Sequence, residues 1–267
     1  MKGDADLRFA ELVSQRFPQL IVTSKLGKGA QGIVFKCYNS SIDKFVVVKL
    51  NTDHDCTPER TEQIFKFMKK ASQENLKGII KCYDCDFYEL NGLLFSYIVM
   101  EMGNPLDNVI STLHKSKVTP LFTSNNMVQI LEYFSQILEG VMTLHNENFT
   151  HRDLKLPNCV IAENGIVKLI DFDNTKIIQS TKSITFNIGT WEYLAPEVYD
   201  EEESGSIENL NISKYCDIYS LGCVLLKMIT NKFLSVNPDF ISNKPCSNQD
   251  IIGVGKNYFF KYVTSFK

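Results

Sequence analysis

The residues best suited to chemistry lie in one polar octet, residues 151–158, which reads His-Arg-Asp-Leu-Lys-Leu-Pro-Asn. Arg152, Asp153 and Lys155 give this octet three charged side chains, and Asn158 adds an amide. Apolar segments precede and follow it, so a polar loop between a helix and a strand is expected. A further acid, Asp171, comes thirteen residues after Asn158 and ends a second strand-like run. The octet followed by an acid at this distance is too specific to be a solvated turn alone.

A second candidate site is the glycine-rich stretch near the start of the chain. Gly27, Gly29 and Gly32 have the spacing G-x-G-x-x-G between two strand-like runs. Glycine lets backbone amides approach a phosphate because it has no Cβ. A dinucleotide-binding interpretation requires a helix after the last glycine, but β-branched and aromatic residues follow here. We therefore expect strand, loop and strand, followed by a third strand, residues 44–50, that carries Lys49 near its end.

Taken in order, these motifs resemble the eukaryotic protein kinases of the Ser/Thr class. The octet resembles their catalytic loop, Asp171-Phe172 their metal-binding segment, and residues 189–197 their Gly-Thr-x-x-Tyr-x-Ala-Pro-Glu motif. A weaker likeness points to fungal kinases that regulate ion and nutrient transporters. The resemblance implies an α+β bilobal protein kinase fold, with a small β-rich N-lobe and a larger, mainly helical C-lobe. The C-lobe is either complete or shortened. The expected divisions are a helical extension, an N-lobe and a C-lobe, at residues 1–19, 20–102 and 103–267.

The resemblance implies phosphoryl transfer from ATP, with roles that are the family's own. Asp153 would accept the proton of the substrate hydroxyl, and Lys155 would stabilise the transferring phosphoryl group. Asn158 and Asp171 would hold Mg²⁺, a hard cation that prefers oxygen ligands.

The family also pairs the strand lysine, here Lys49, with a glutamate of the following helix. That helix is expected from Pro58, because proline favours the first helical position. We expect Glu62 to hold Lys49, with Glu59 and Glu74 as alternatives.

The expected ATP-binding residues lie in the glycine-rich loop, the neighbouring strands and the hinge. Val34 would cover the adenine, Met100 would be the gatekeeper, and the backbone of Glu101 and Gly103 would hydrogen-bond the base. The full set is Leu26, Gly27, Lys28, Gly29, Ala30, Gln31, Gly32, Val34, Val47, Lys49, Met100, Glu101, Gly103 and Val160.

Two departures from the family keep a second interpretation open. The family's Asp-Phe-Gly is here Asp-Phe-Asp, with Asp173 in place of the glycine. The family pairs the glutamate of Ala-Pro-Glu, here Glu197, with a late arginine, but no arginine follows Arg152. The alternative to an enzyme is a pseudokinase that binds partners as a scaffold. From the sequence, Asp173→Gly is expected to preserve or raise activity, because it restores the family residue.

Other parts of the motif set concern regulation and support. Residues 174–188 are rich in Ser and Thr, as an activation loop would be. Arg152 would pair with a phosphate on Thr185 or Ser183, although an unmodified loop is an equally open interpretation. Asp217 would hold the catalytic loop through its backbone amides.

Composition bounds the partners and the compartment. With 28 Lys plus Arg against 31 Asp plus Glu, the net charge is −3, which argues against nucleic acid as the main partner. The first residues lack the apolar region of a secretory signal, and no apolar run is long enough to span a bilayer. Eight cysteines without such a signal are typical of reduced thiols in an intracellular protein. We expect a cytoplasmic or nuclear monomer whose partners are ATP and protein substrates with Ser or Thr.

Overall fold

The computed structural model describes residues 10–29, 32–51, 58–90, 93–115, 124–177, 190–195 and 214–231. Several residues named above lie outside these ranges: Ala30, Gln31, Ser183, Thr185 and Glu197.

The first lobe is built on a five-stranded antiparallel sheet with the strand order β1-β2-β3-β5-β4. Its strands are β1 (Leu20–Lys28), β2 (Gly32–Asn39), β3 (Lys44–Asn51), β4 (Cys82–Leu90) and β5 (Leu93–Glu101). The glycine-rich loop therefore joins β1 to β2, as the strand–loop–strand prediction requires.

The side chains of strand β3 alternate between the two faces of the sheet, because successive side chains of a strand point to opposite sides. Val46, Val48 and Leu50 pack in one apolar cluster with Val13 and Phe17, which belong to or directly follow helix α1, residues 10–16. The other face, with Val47, meets the larger cluster that includes helix α2 (Pro58–Gln73) and the second lobe. Lys49 lies on this second face, between the lobes.

The second lobe is mainly helical in the described part of the chain. Its helices are α3 (Leu106–Lys115), α4 (Ser124–Asn146) and α5 (Tyr215–Thr230). Strands β6 (Gly103–Pro105), β8 (Cys159–Ala162) and β9 (Val167–Leu169) form a small sheet, and β7 (Phe149–Thr150) pairs with β10 (Lys176–Ile177). The predicted bilobal α+β fold is confirmed. None of the helices in the described ranges has the length and apolar character needed to cross a membrane.

The two lobes come into close backbone contact at two glycines. Gly78 follows α2 with φ +68°, and a Cβ built on it would lie 2.3 Å from Cα of Gly140 in α4. The carbonyl oxygen of Gly78 accepts a hydrogen bond from the Leu169 amide at 2.7 Å. A Cβ on Gly140 would in turn lie 2.7 Å from that same carbonyl oxygen. The contact between the two backbones therefore requires glycine on both sides.

Gly140→Ala is expected to destabilise the fold by about 1–3 kcal/mol, because the added methyl must displace packed backbone. Gly222→Ala is the matched control, since Gly222 also lies within a helix but a Cβ added there would have nothing within 4 Å. That control should gain up to about 1 kcal/mol of helix stability. Denaturant unfolding measures both, and equal stability of the two variants would contradict the packing argument.

Besides the two ion pairs of Lys49 described below, four ion pairs link the two lobes among the described residues. Three of these pairs have partly or fully exposed side chains, and the fourth, which involves Glu101 of the hinge, is more buried. The pairs are Lys44–Glu163 at 2.8 Å, Lys70–Glu147 at 2.7 Å, Lys77–Glu139 at 2.8 Å and Lys168–Glu101.

Candidate active site

The polar octet forms a loop whose backbone is held by hydrogen bonds to helix α5. The carboxylate of Asp217, fully buried, accepts hydrogen bonds from the amides of His151 at 2.8 Å and Arg152 at 2.9 Å. This confirms the expected role of Asp217. His145 Nε2 lies 2.8 Å from the same carboxylate, so this histidine helps to orient the support of the loop.

Asp153 is held by polar groups on all sides. Its Oδ2 accepts from Lys155 Nζ at 2.8 Å, and its Oδ1 accepts from Thr190 Oγ1 at 3.0 Å. Lys155 also donates to Thr190 Oγ1 at 2.8 Å. The Asn158 Nδ2 group donates to the Asp153 carbonyl oxygen at 2.8 Å and to Oδ2 at 3.1 Å. The carboxylate is therefore fixed in one orientation next to a cation.

Two residues of the site have left-handed backbone conformations that favour glycine. Arg152 has φ +68° and Asp171 has φ +65°. Such a conformation costs about 1–3 kcal/mol for a non-glycine residue and persists where surrounding contacts impose it. At Arg152, the bond from its amide to Asp217 is one such contact. No feature of the sequence signals either conformation.

Lys49 meets two carboxylates that follow β9. Its Nζ lies 2.7 Å from Asp171 Oδ1 and 2.5 Å from Asp173 Oδ2. Burial alone would lower the pKa of Lys49, but the charges of Asp173 and Asp171 outweigh it and raise that pKa. Burial opposes ionisation of Asp171, yet Lys49 holds its pKa below the usual value. Burial keeps the pKa of Asp173 above the usual value, with the charge of Asp171 adding to the effect.

Glu62 does not reach Lys49, so the pair expected from the resemblance is absent here. Its carboxylate lies 2.9 Å from Lys66 one turn along α2, and 57 % of its side chain is exposed. Glu59 and Glu74, the alternatives, are also exposed. The physical reason is helical phase. The helix buries Ile64, Phe67, Met68 and Ala71, and positions 59 and 62 fall outside that stripe.

Phe172 connects α2 to the polar octet. Its ring, 1 % exposed, packs against Phe67 at 5.9 Å and His151 at 5.5 Å between centroids. Arg60 of α2 donates to the carbonyl oxygens of Asp173 at 2.6 Å and Thr175 at 3.1 Å. The segment after β9 is therefore fixed by contacts from both lobes.

The glycines of the β1–β2 loop differ in what surrounds them. A Cβ on Gly32 would lie 2.1 Å from the Leu50 carbonyl oxygen, whereas Gly27 and Gly29 have nothing within 4 Å. Gly29 donates its amide to the Gly32 carbonyl oxygen at 2.9 Å. Gly32 is thus required by the sheet, while the open space at the other two suits the approach of a ligand.

Other residues expected to bind ATP lie around the same cleft. Val34 pairs with Lys49 across β2 and β3, and Met100 pairs with Val47 across β3 and β5. At the hinge, a Cβ on Gly103 would lie 2.7 Å from Val160 Cγ2 of β8. Leu26 and Lys28 of β1 are exposed, and the Glu101 side chain is engaged by Lys168.

The protein kinase domain, as a family, matches residues 20–253 of the chain. The chain belongs to the protein kinase family. Similar proteins include cyclin-dependent kinase-like 1 of Caenorhabditis elegans, 27 % identical over 79 % of this chain and 55 % of that protein. The probable serine/threonine-protein kinase mps1 of Dictyostelium discoideum is 32 % identical over 76 % of this chain and 20 % of its own length. The dual specificity protein kinase TTK of Mus musculus is 32 % identical over 78 % and 24 %. The chain thus spans less than two thirds of each of these relatives.

The kinase domain offers oxygen donors where the family holds Mg²⁺. Asn158 uses its Nδ2 in both of its bonds to Asp153, which leaves Oδ1 as a donor to a cation. Asp171 uses Oδ1 for Lys49 and is 29 % exposed. The Ile170 amide donates to the Asn158 carbonyl oxygen at 3.0 Å and so ties the two segments together. No cluster of three or more acidic, His or Cys ligands occurs in the described ranges. This donor set fits Mg²⁺, which takes one or two protein ligands and completes its shell with phosphate and water.

Proposed function

We propose that this chain is an ATP- and Mg²⁺-dependent protein serine/threonine kinase. The observation that carries the proposal is the Asp153 carboxylate, fixed between Lys155, Thr190 and Asn158. In this role Asp153 accepts the proton of the substrate hydroxyl, and Lys155 offsets the charge of the transferring phosphoryl group. Mg²⁺, held by Asn158 and Asp171, supplies neutralisation of the phosphate charge when it is bound.

The other residues of the proposal position the nucleotide. Lys49 binds the α- and β-phosphates, the loop at Gly27 and Gly29 covers them, and the hinge backbone at Glu101 and Gly103 takes the adenine. The lysine–threonine contact between Lys155 and Thr190 supports the Ser/Thr class, as does the similarity to the probable serine/threonine-protein kinase mps1. We place the kinase in the cytoplasm or nucleus, as a monomer acting on protein substrates.

The experiment is phosphate transfer by the purified chain from Mg²⁺-ATP to a generic substrate protein. Phosphoserine and phosphothreonine are the expected products. Nucleotide binding without any turnover, before and after treatment with an activating kinase, would instead favour the pseudokinase alternative.

A cluster of cations supports regulation by phosphorylation. Burial lowers the pKa of Arg152 to about 10, and the neighbouring charge of Arg60 adds to this effect. Burial also lowers the pKa of Lys176, again with contributions from Arg152 and Arg60. Three cations that repel one another would gain from a phosphate between them. We propose Thr185 or Ser183 as the modified residue.

Substrate selectivity follows from Pro157, which is exposed in the 3₁₀ turn Leu156–Asn158. Many kinases that prefer basic residues before the target carry a glutamate at this position. Proline has no carboxylate, so an arginine two residues before the target gains no charge-assisted hydrogen bond, worth about 1.5–3 kcal/mol. We expect the preference in kcat/KM for such an arginine to stay below about tenfold, or 1.4 kcal/mol.

Paired peptides with and without the arginine, assayed at low and moderate salt, measure this preference. Pro157→Glu should raise it, because that variant supplies the missing carboxylate. A larger wild-type preference that survives moderate salt would mean that another acid recognises the arginine.

A further inference from the structure

An unexpected feature of the site is the source of the carboxylate that holds Lys49. Helix α2 turns no acid toward the lysine, since Glu59 and Glu62 are exposed and Glu62 pairs with Lys66. The α2 residue Arg60, which hydrogen-bonds the segment after β9, is a cation and not an acid. Lys49 contacts a second carboxylate besides that of Asp171, the proposed metal ligand. This second carboxylate comes from the segment after β9 and not from α2.

We propose that Asp173 is the positioning residue for Lys49, in the place of a glutamate from α2. The inference rests on the proposed phosphoryl transfer and names a residue that acts on the reaction through Lys49. Asp173 stands where the family's motif has glycine, so the departure and the missing α2 partner are explained together.

The contacts of Asp173 fix both its carboxylate and its backbone carbonyl. Oδ2 lies 2.5 Å from Lys49 Nζ, and Oδ1 accepts from Asn51 Nδ2 at 3.3 Å, so both oxygens face strand β3. The carbonyl oxygen of Asp173 accepts from Arg60 Nη2 at 2.6 Å. Asp173 is only 8 % exposed. It therefore links β3 to α2 while it holds the lysine.

Asp171 is less suited than Asp173 to hold the ammonium group of Lys49 in position. It is the more exposed partner, with 29 % of its side chain accessible against 8 % for Asp173. In the proposed reaction its carboxylate also binds Mg²⁺, which draws negative charge away from Lys49. Asp173 has no such second task and keeps the ammonium in place while the metal site fills.

This assignment reverses the expectation from the sequence for Asp173→Gly. Restoring the family glycine removes the ion pair to Lys49 and the bond from Asn51, and α2 has no acid in position to replace them. Activity should therefore fall rather than stay the same or rise.

The test uses Asp173→Asn, which keeps the shape and removes the charge, with Asp173→Glu as the conservative variant. Asp86→Asn is the matched control, because Asp86 is an exposed acid of the same lobe, on β4. We expect Asp173→Asn to lower kcat/KM for ATP by about tenfold to a hundredfold, with partial rescue in Asp173→Glu and no change in the control. A purely structural role would lower the melting temperature and leave kcat/KM of the folded fraction unchanged.

Affinity for Mg²⁺-ATP, measured by calorimetry, separates this inference from the proposed function. An inactive wild-type chain defeats the proposed function, yet weaker ATP binding by Asp173→Asn would still support the anchoring of Lys49. Wild-type turnover and affinity in both Asp173→Asn and Asp173→Gly would overturn the inference. A loss in Glu62→Gln without one in Asp173→Asn would overturn it as well and return the task to α2.

Discussion

Asp153→Asn is expected to lower kcat by about 10²–10⁴-fold, the range typical of a lost general base. The asparagine keeps the shape of the side chain but loses its charge and replaces one acceptor oxygen with a donor. Lys155, Thr190 and Asn158 all donate to the present carboxylate, so the substituted amide cannot satisfy all of them. The substrate hydroxyl would then meet no base.

Single-turnover transfer of labelled phosphate measures this effect, and circular dichroism checks that the variant is folded. Glu132→Gln, which neutralises an exposed acid on α4, is the control and should keep wild-type turnover. A kcat for Asp153→Asn within about threefold of the wild type would show that another group orients the hydroxyl.

Lys49→Met is expected to abolish transfer and to cost about 3–5 kcal/mol of stability at neutral pH, because it strands a buried charge. The motif alone predicts an inactive but intact fold. The structure changes that expectation, since Asp171 and Asp173 both lose their cation and Asp173 is buried.

The pH dependence of this loss has a defined sign. Without Lys49, the two carboxyls of the folded state have pKa values above the value of about 3.9 in the unfolded chain. The folded state then binds protons that the unfolded state has released, so stability falls as pH rises through that window and recovers at lower pH. Urea unfolding across this range measures it.

Lys66→Met is the matched control, because Lys66 forms an exposed pair with Glu62. Exposed pairs contribute about 0–1 kcal/mol, so this variant should be near neutral at every pH. Equal, pH-independent stability of the two variants would contradict the buried charge cluster.

Much of this site follows from short motifs, because the family fixes the order and spacing of Lys49, Asp153, Asn158 and Asp171. In the structure, Lys49 contacts Asp171, and Asn158 contacts Asp153 and the residue before Asp171. The prediction that Glu62 pairs with Lys49 was wrong, because a motif gives a position in the chain and not the direction of a side chain. The helical spacing of the apolar residues Ile64, Phe67 and Met68 shows which face of α2 is buried, and Glu62 does not lie on that face.

Other features had no local signal. At Arg152 the left-handed backbone is held by Asp217, a partner far away in the chain. The contact of Gly78 with Gly140 likewise joins residues that only the folded lobes bring together.

The ion pairs between the lobes would affect the rate of ADP release in the proposed reaction. In the proposed reaction, release of ADP would require the cleft to open, and opening would stretch exposed pairs such as Lys44–Glu163. Dissolved salt screens exposed charges over about 8 Å at physiological ionic strength. The buried charges around Lys49 are screened far less. For the proposed reaction we therefore expect ionic strength to act on product release more than on the chemical step, and a more saline medium to raise kcat where release limits it.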